Sequence, residues 1–483
     1  MIDLRPVGYV IGLLVAALGA TMVLPMAVDI YAGNGHWPVF LESAIITVLF
    51  GSLLALACAN GVKDRLTLQQ TFLLTTTVWV ALPAFGAIPF LIGAPEATIT
   101  DAVFEAMSGL TTTGSTVLTG LGTLPEGILL WRSMLQWFGG IGIIVVAMVF
   151  LPELRVGGMQ IFRSEAFETM GKVLPRATEI AGRISTIYAA LTIACAISYY
   201  WAGMTFFDAV NHALTTLSTG GFSTSDASMG AYQGASEYVA TVFMVLASLP
   251  FVRYVQLVAG SGRPLVFDVQ VRGFLVVLAA TTVVVTLYRL VANGDGPEQA
   301  FREAAFNITS IITGTGYSSV DYQLWGAFPV VVFFFIGLVG GCAGSTSCSI
   351  KIFRYQILFA SIRSQIRRIH SPHGVFTPRY EGRPVTEDVL SSVMAFFVLF
   401  TVTLGLTSVL LAMTGLDVMT SVSGAATAIA NVGPGLGPII GPAGSFEPLN
   451  DVAKWILTVA MLIGRLELMV VLVLFTSSFW RTA

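Results

Sequence analysis

The chain has 483 residues, 55% of them hydrophobic and only 11% charged, with a formal net charge of −3 at pH 7 and a mean hydropathy of +0.82. Such a composition excludes an ordinary soluble core and places the chain in a bilayer as an integral membrane protein. The small net charge says little about partners beyond the lipid, and no nucleic acid is expected among them.

Apolar stretches of roughly 20 residues, the length that spans hydrocarbon, are predicted at 7–30, 41–60, 68–92, 128–151, 184–204, 236–259, 272–292, 327–349, 389–414 and 452–480. They make ten crossings. The first reads as a retained helix rather than a cleaved signal peptide, because it is long enough to span and carries no cleavage signature. Its Gly8, Gly12 and Gly19 read as small packing residues.

Between crossings three and four, five and six, seven and eight, and nine and ten lie four similar segments, each ending in a glycine loop. Three carry an acidic residue followed by alanine, Asp101-Ala102, Asp208-Ala209 and Glu303-Ala304, and the acid precedes the glycine by 13 residues each time (114−101, 221−208, 316−303). In the fourth, Thr420 takes that place ahead of Gly433. About a dozen moderately apolar residues precede each glycine loop, and a helix of that length reaches only about 18 Å, too little to cross. These segments are predicted to be re-entrant half-helices, with Asp101, Asp208 and Glu303 near their N-termini as caps.

Lys and Arg are missing from 93–127, 201–236 and 415–451 and concentrate in alternate loops, at Lys63, Arg65, Arg155, Arg163, Lys172, Arg176, Arg183, Arg253, Arg263, Lys351, Arg354, Arg363, Arg367, Arg368, Arg379 and Arg383. The positive-inside rule makes those loops and both termini cytoplasmic, so all four half-helices enter from outside. Acids there, Glu96, Asp226, Glu237, Asp295, Asp321, Glu447 and Asp451, favour a cation over an anion. Irregular backbone at membrane depth must be buried in protein or line water, so four such loops in one chain are expected to share one pore. Glycine lets consecutive carbonyls face that axis and replace the hydration shell of a cation.

The loops Thr111-Thr112-Thr113-Gly114, Ser218-Thr219-Gly220-Gly221, Thr313-Gly314-Thr315-Gly316 and Asn431-Val432-Gly433 resemble the filter loops of the Trk/Ktr/HKT potassium transporters, in the bacterial TrkH/TrkG/TrkI branch. Trp131-Arg132-Ser133, Gln136-Trp137-Phe138-Gly139-Gly140-Ile141-Gly142, Gly157 to Arg163, Gly340 to Ser347 and Gly464-Arg465-Leu466-Glu467 extend the resemblance over the whole chain. It implies an all-α membrane fold with four helix, half-helix, filter-loop and helix repeats around one pseudo-fourfold pore, after two extra N-terminal helices. The corresponding boundaries are 1–66 for the extra helices and 67–152, 183–262, 270–365 and 385–483 for the repeats.

By the same resemblance the function is gated, potassium-selective uptake across a bacterial inner membrane, in a homodimer regulated by a cytosolic TrkA-type nucleotide-binding ring protein. Gly114, Gly221, Gly316 and Gly433 would mark potassium selectivity, and none is the serine of sodium-permeable plant relatives. Potassium would be bound only at the filter, by the carbonyls of Thr112, Thr113, Thr219, Gly220, Gly314, Thr315, Asn431 and Val432. A gate is expected where Gly340, Gly341, Cys342, Ala343, Gly344, Ser345, Thr346 and Ser347 interrupt crossing eight under the filter, a small-residue run that does not suit a continuous helix. Arg465, an intramembrane cation that must face a cavity or a partner, is read as the barrier holding that loop, with Glu467 as a candidate counter-ion. Cys348-Ser349 departs from the glycines usual at that place.

No phosphate-binding GxxxxGK[ST] and no strand-led GxGxxG occurs, so no cofactor is expected in the chain itself. Cys58, Cys195, Cys342 and Cys348 lack metal-ligand spacing and read as packing residues. His370 and His373 read as part of a solvated basic loop, and His212 as a packed residue within the second half-helix. A symporter coupled to protons or sodium remains the alternative, and a membrane enzyme or sensor would need a catalytic constellation that the sequence does not present.

Overall fold

The computed structural model describes residues 3–61, 66–149 and 177–481. Gly157 to Arg163, Lys63, Arg65, Arg155, Lys172 and Arg176 lie outside the described residues. Within them the chain is built of helices, with only two pairings of two-residue strands, Val339–Gly340 parallel to Ile350–Lys351 and Arg379–Tyr380 antiparallel to Arg383–Pro384.

Seven helices among the described residues are long and apolar enough to cross a membrane: Arg5–Ala32, Trp37–Gly61, Leu68–Ile92, Glu126–Val145, Ala181–Trp201, Val269–Asn293 and Glu387–Met413. The first two pack backbone to backbone. A Cβ on Gly12 would lie 2.6 Å from the Gly51 carbonyl oxygen, and one on Gly51 would lie 2.4 Å from the Ala16 nitrogen. Small residues are what permit that approach where hydrocarbon surrounds both helices.

Three of the ten expected crossings are not continuous helices. The sixth bends by 89° between Ala235–Ala247 and Phe251–Val258, where Pro250 removes a backbone donor. The eighth stops as Ala327–Ile336, and the tenth ends its first part as Asp451–Arg465 before resuming at Met469–Leu474. The sixth and eighth repair one another. The backbone groups freed at the bend bind the loop after Ile336: Cys342 N donates to Ser248 O (3.0 Å), Thr346 Oγ1 to Ala247 O (3.0 Å), and Phe251 N to Gly344 O (3.0 Å). Non-helical backbone persists at this depth because protein, not lipid, satisfies it.

The four short helices are Ile99–Leu110, Phe206–Leu217, Pro297–Thr313 and Val418–Ala430, of 12, 12, 17 and 13 residues. Each runs into a glycine loop. Thr98 and Thr205 cap the first two, accepting from the amides of Asp101 (3.2 Å) and Asp208 (3.1 Å), while Asp417 caps the fourth through the Thr420 amide (3.0 Å). Capping therefore falls to the hydroxyl three residues before the acid, and each acid accepts from that hydroxyl in return. Glu303 departs from the expected role altogether. The third helix starts earlier, at Pro297, which favours a first turn, so Glu303 sits well inside it, buried and paired with Arg289 at 2.9 Å.

Candidate functional site

The four glycine loops adopt one backbone conformation. Two residues before each glycine the chain is left-handed, at Thr112 (φ 53°), Thr219 (φ 51°), Gly314 (φ 77°) and Asn431 (φ 51°), and the glycines themselves have φ 85°, 80°, 79° and 101°. The residue between folds its amide back onto the helix: Thr113 N to Ser108 O, Gly220 N to Thr215 O, Thr315 N to Ser310 O and Val432 N to Thr427 O, all at 2.8–3.0 Å. Glycine and asparagine tolerate the left-handed position, whereas β-branched Thr112 and Thr219 hold it at a cost of about 1–3 kcal/mol each. Strain of that size survives only where the surroundings impose it.

The surroundings are the neighbouring loops. A Cβ on Gly114 would lie 2.2 Å from the Gly220 carbonyl oxygen, one on Gly221 1.9 Å from that of Thr315, one on Gly316 1.9 Å from that of Val432, and one on Gly433 2.9 Å from that of Thr113. Each glycine thus faces the carbonyl just ahead of the next glycine, and the fourth closes on the first. The ring is complete within one chain. A single cavity of about 540 Å³ is lined by Gly114, Gly221, Gly316 and Gly433 together, with Asp226 at its wall. The candidate residues Thr111, Thr112, Thr113, Ser218, Thr219, Thr313, Thr315, Asn431 and Val432 are all buried around this ring.

Sequence reasoning gave His212 a packing role and gave Glu105 and Asn307 none, yet all three hold the loops from behind. Nine residues before the first three glycines (114−105, 221−212, 316−307) stand Glu105, His212 and Asn307. Glu105 accepts from Val117 N (2.9 Å) and Thr116 Oγ1 (2.9 Å), His212 Nε2 meets Ser223 Oγ (3.0 Å), and Asn307 Nδ2 donates to Ser319 Oγ (3.0 Å). In the fourth repeat Ser423 does this work on Leu436. The constant offset was the available signal. Arg132, fully buried, pairs with Glu105 at 2.8 Å and donates to Ser223 O (2.9 Å), binding the first loop to the second. Removing one member of such a buried pair costs about 3–5 kcal/mol.

Beneath the ring lies the small-residue loop. Cys348 Sγ is 3.6 Å from Thr112 Oγ1, and a Cβ on Gly314 would lie 3.2 Å from Cys348 Cβ, so this cysteine sits against the left-handed residues at the floor of the ring. Ser349, itself left-handed at φ 61°, donates through its amide to Ala430 O (3.0 Å) and through its hydroxyl to Gly337 O (2.7 Å). The space left here is a chamber of only about 40 Å³, bounded among others by Cys348, Asn431, Lys351 and Arg465. Within the loop, Gly341 N donates to Ser347 Oγ (2.8 Å) and Ser345 Oγ to Cys342 O (2.6 Å), and Ala343 N donates outside it to Gln270 Oε1 (2.9 Å). Gly340, Gly344 and Thr346 complete it.

Arg465 reaches this chamber because Gly464 has the Ile429 carbonyl oxygen where a Cβ would be, 2.1 Å away, drawing the last helix onto the fourth half-helix. Its Nη1 is 2.6 Å from Cys348 Sγ and its Nη2 donates to Gly139 O (3.1 Å). Glu467 is not its counter-ion: that carboxylate pairs with Arg354. The chain turns at Leu466 to Leu468, where Glu467 is left-handed at φ 59°, and points the two side chains to different partners. Several acids expected to attract cations are likewise engaged, Glu237 by Arg302 and Asp295 by Arg289 (2.7 Å).

The sequence matches the family model of the cation transport protein TrkH over residues 36–481. It is 43% identical over 478 residues to the Trk system potassium uptake protein TrkI of Halomonas elongata, covering 99% of this chain and 97% of that one. It is 36% identical to the Trk system potassium uptake protein TrkH of Salmonella typhimurium over 99% of both chains. The fold superposes on the crystal structure of the potassium transporter TrkH from Vibrio parahaemolyticus with a TM-score of 0.91, at 34% identity, covering 99% of this chain and 100% of the other.

Proposed function

The chain belongs to the TrkH family of cation transport proteins, and on that premise we propose that it carries potassium inward through the ring of glycine loops, with the loop at 340–349 and Arg465 as the gate. It is a multi-pass membrane protein of a transporter family, not of an enzyme family. The observation that carries the reading is the closed circuit of four glycines, each against the next loop's carbonyl. The circuit brings the carbonyl oxygens of Thr113, Gly220, Thr315 and Val432 against neighbouring glycines, and these with the carbonyls of Thr112, Thr219, Gly314 and Asn431 would replace a potassium ion's water. The relatives' names as potassium uptake proteins support the choice of ion.

The large chamber is then the external vestibule and the small one the closed cytoplasmic neck, in a bacterial inner membrane with both termini inside. Arg465, next to the loop and facing the chamber, opposes a cation there by Coulomb repulsion at low dielectric. A homodimer and a cytosolic TrkA-type ring protein on the basic loops complete the proposed assembly. The test is potassium uptake in cells lacking their own importers, at limiting potassium with sodium as competitor. The intact chain is expected to restore growth and uptake, and Gly221→Ser to lose potassium preference. A well-expressed chain that carries no potassium beside its ring protein would overturn the reading.

A further inference from the structure

At the position just ahead of its glycine the second loop stands apart from the other three, and a side chain behind the ring accounts for it. Ahead of the glycine the other loops carry Thr113, Thr315 and Val432, but the second carries Gly220. A Cβ on Gly220 would lie 2.3 Å from Gln136 Cδ. The glycine makes room for that amide. Gln136 Nε2 donates to the Gly220 carbonyl (2.6 Å), and Gln136 Oε1 accepts from the Phe222 amide (3.0 Å), so one side chain brackets Gly221 on both sides. One helical turn earlier on the same face, Arg132 donates to Ser223 O (2.9 Å) and lies 4.2 Å over the Phe222 ring, anchored by Glu105.

No side chain among the described residues donates to the carbonyls of Thr113, Thr315 or Val432. A carbonyl oxygen has two lone pairs, so Gly220 O can accept from Gln136 and still face an ion, but its direction is no longer free. We propose that Gln136, with Arg132 behind it, is a positioning residue for ion discrimination: it fixes the Gly220 carbonyl and makes the second quadrant the rigid reference of the ring. This rests on the reading of the ring as a potassium filter. Where ions of equal charge are told apart by how the carbonyls fit them, the carbonyls must be held to a fraction of an ångström, and a bracket on both sides of Gly221 supplies that hold.

The experiment measures rubidium uptake against sodium competition, and reversal potentials where currents are resolved, for the full chain in cells without their own importers. Gln136→Met fills the same space without either hydrogen bond and is expected to lower potassium preference over sodium by about tenfold, that is about 1.4 kcal/mol, with rubidium flux retained. Gln136→Asn, too short to span both partners, is expected not to rescue. A role in stability alone would reduce protein and flux together and leave the ratio unchanged, and that result overturns the proposal. If Gln136→Met fails to accumulate, Arg132→Lys keeps the charge but not the reach to Ser223 O. A lowered ratio there supports the clamp and an unchanged one overturns it. If the intact chain carries no potassium at all, the filter reading fails first.

Discussion

The glycine ring and the loop beneath it are both made of small residues, yet they are held in opposite ways. Every quadrant of the ring repeats the same left-handed step and the same return hydrogen bond, and each carbonyl is stacked on a neighbouring glycine. The lower loop exists once. Its contacts go to unlike partners: a bent helix at Ala247 and Ser248, the fourth half-helix at Ala430, and the guanidinium of Arg465. On the proposed reading the fourfold repetition would serve as the selector, and the loop that occurs once, touching the ring through Cys348 at Thr112 and Gly314, would serve as the gate.

The largest effects are expected in the ring. Gly221→Ala and Gly316→Ala would drive a methyl to 1.9 Å from a carbonyl oxygen, Gly114→Ala to 2.2 Å and Gly433→Ala only to 2.9 Å. Potassium preference in uptake assays should fall by about tenfold or more in the first two, and least at Gly433. Equal severity at all four would break the idea that contact distance governs the ring. Next in size, Arg465→Ala should raise potassium flux severalfold while leaving the ion ratio intact; a changed ratio would merge the two regions into one device.

A smaller shift is expected from Cys348→Gly. It removes the thiol lying against Thr112 and Arg465 and loosens the loop by about 0.5–1 kcal/mol, roughly two- to fivefold in the open population by flux measurement. Smallest of all is a pH effect outside the membrane. The hydrogen bond from Arg302 holds the exposed Glu298 carboxyl below its ordinary value of 4.5. A depressed folded value means that its contribution is present above the ordinary value and fades as pH falls through the folded one. Glu298→Gln should therefore unfold slightly more easily than the intact chain at neutral pH, and the two should converge in a thermal melt as pH falls through the lowered folded value.

Much of this was legible beforehand. The half-helices at 99–110, 206–217 and 418–430 follow from short apolar runs ended by glycine, and the loop after Ile336 follows from a glycine and serine run that suits no helix. Glu303 misled because its offset matched Asp101 and Asp208 while Pro297 started its helix earlier. Glu467 misled because nearness in sequence to Arg465 suggested a pair, and the turn at Leu466 sends it to Arg354 instead. Glu105, His212 and Asn307 carried a readable offset. Gln136 had no such mark, since nothing local ties residue 136 to Gly220.

By itself the sequence determined the solvent, the count of repeats and the places where helix must end, because hydropathy, glycine and proline act over neighbouring residues. Only the tertiary structure decided that the fourth loop closes on the first, that Arg465 meets Cys348 rather than Glu467, and that Gln136 brackets Gly221. Those are contacts between groups tens to hundreds of residues apart, whose partners are selected by which buried donors and acceptors meet once the helices have packed.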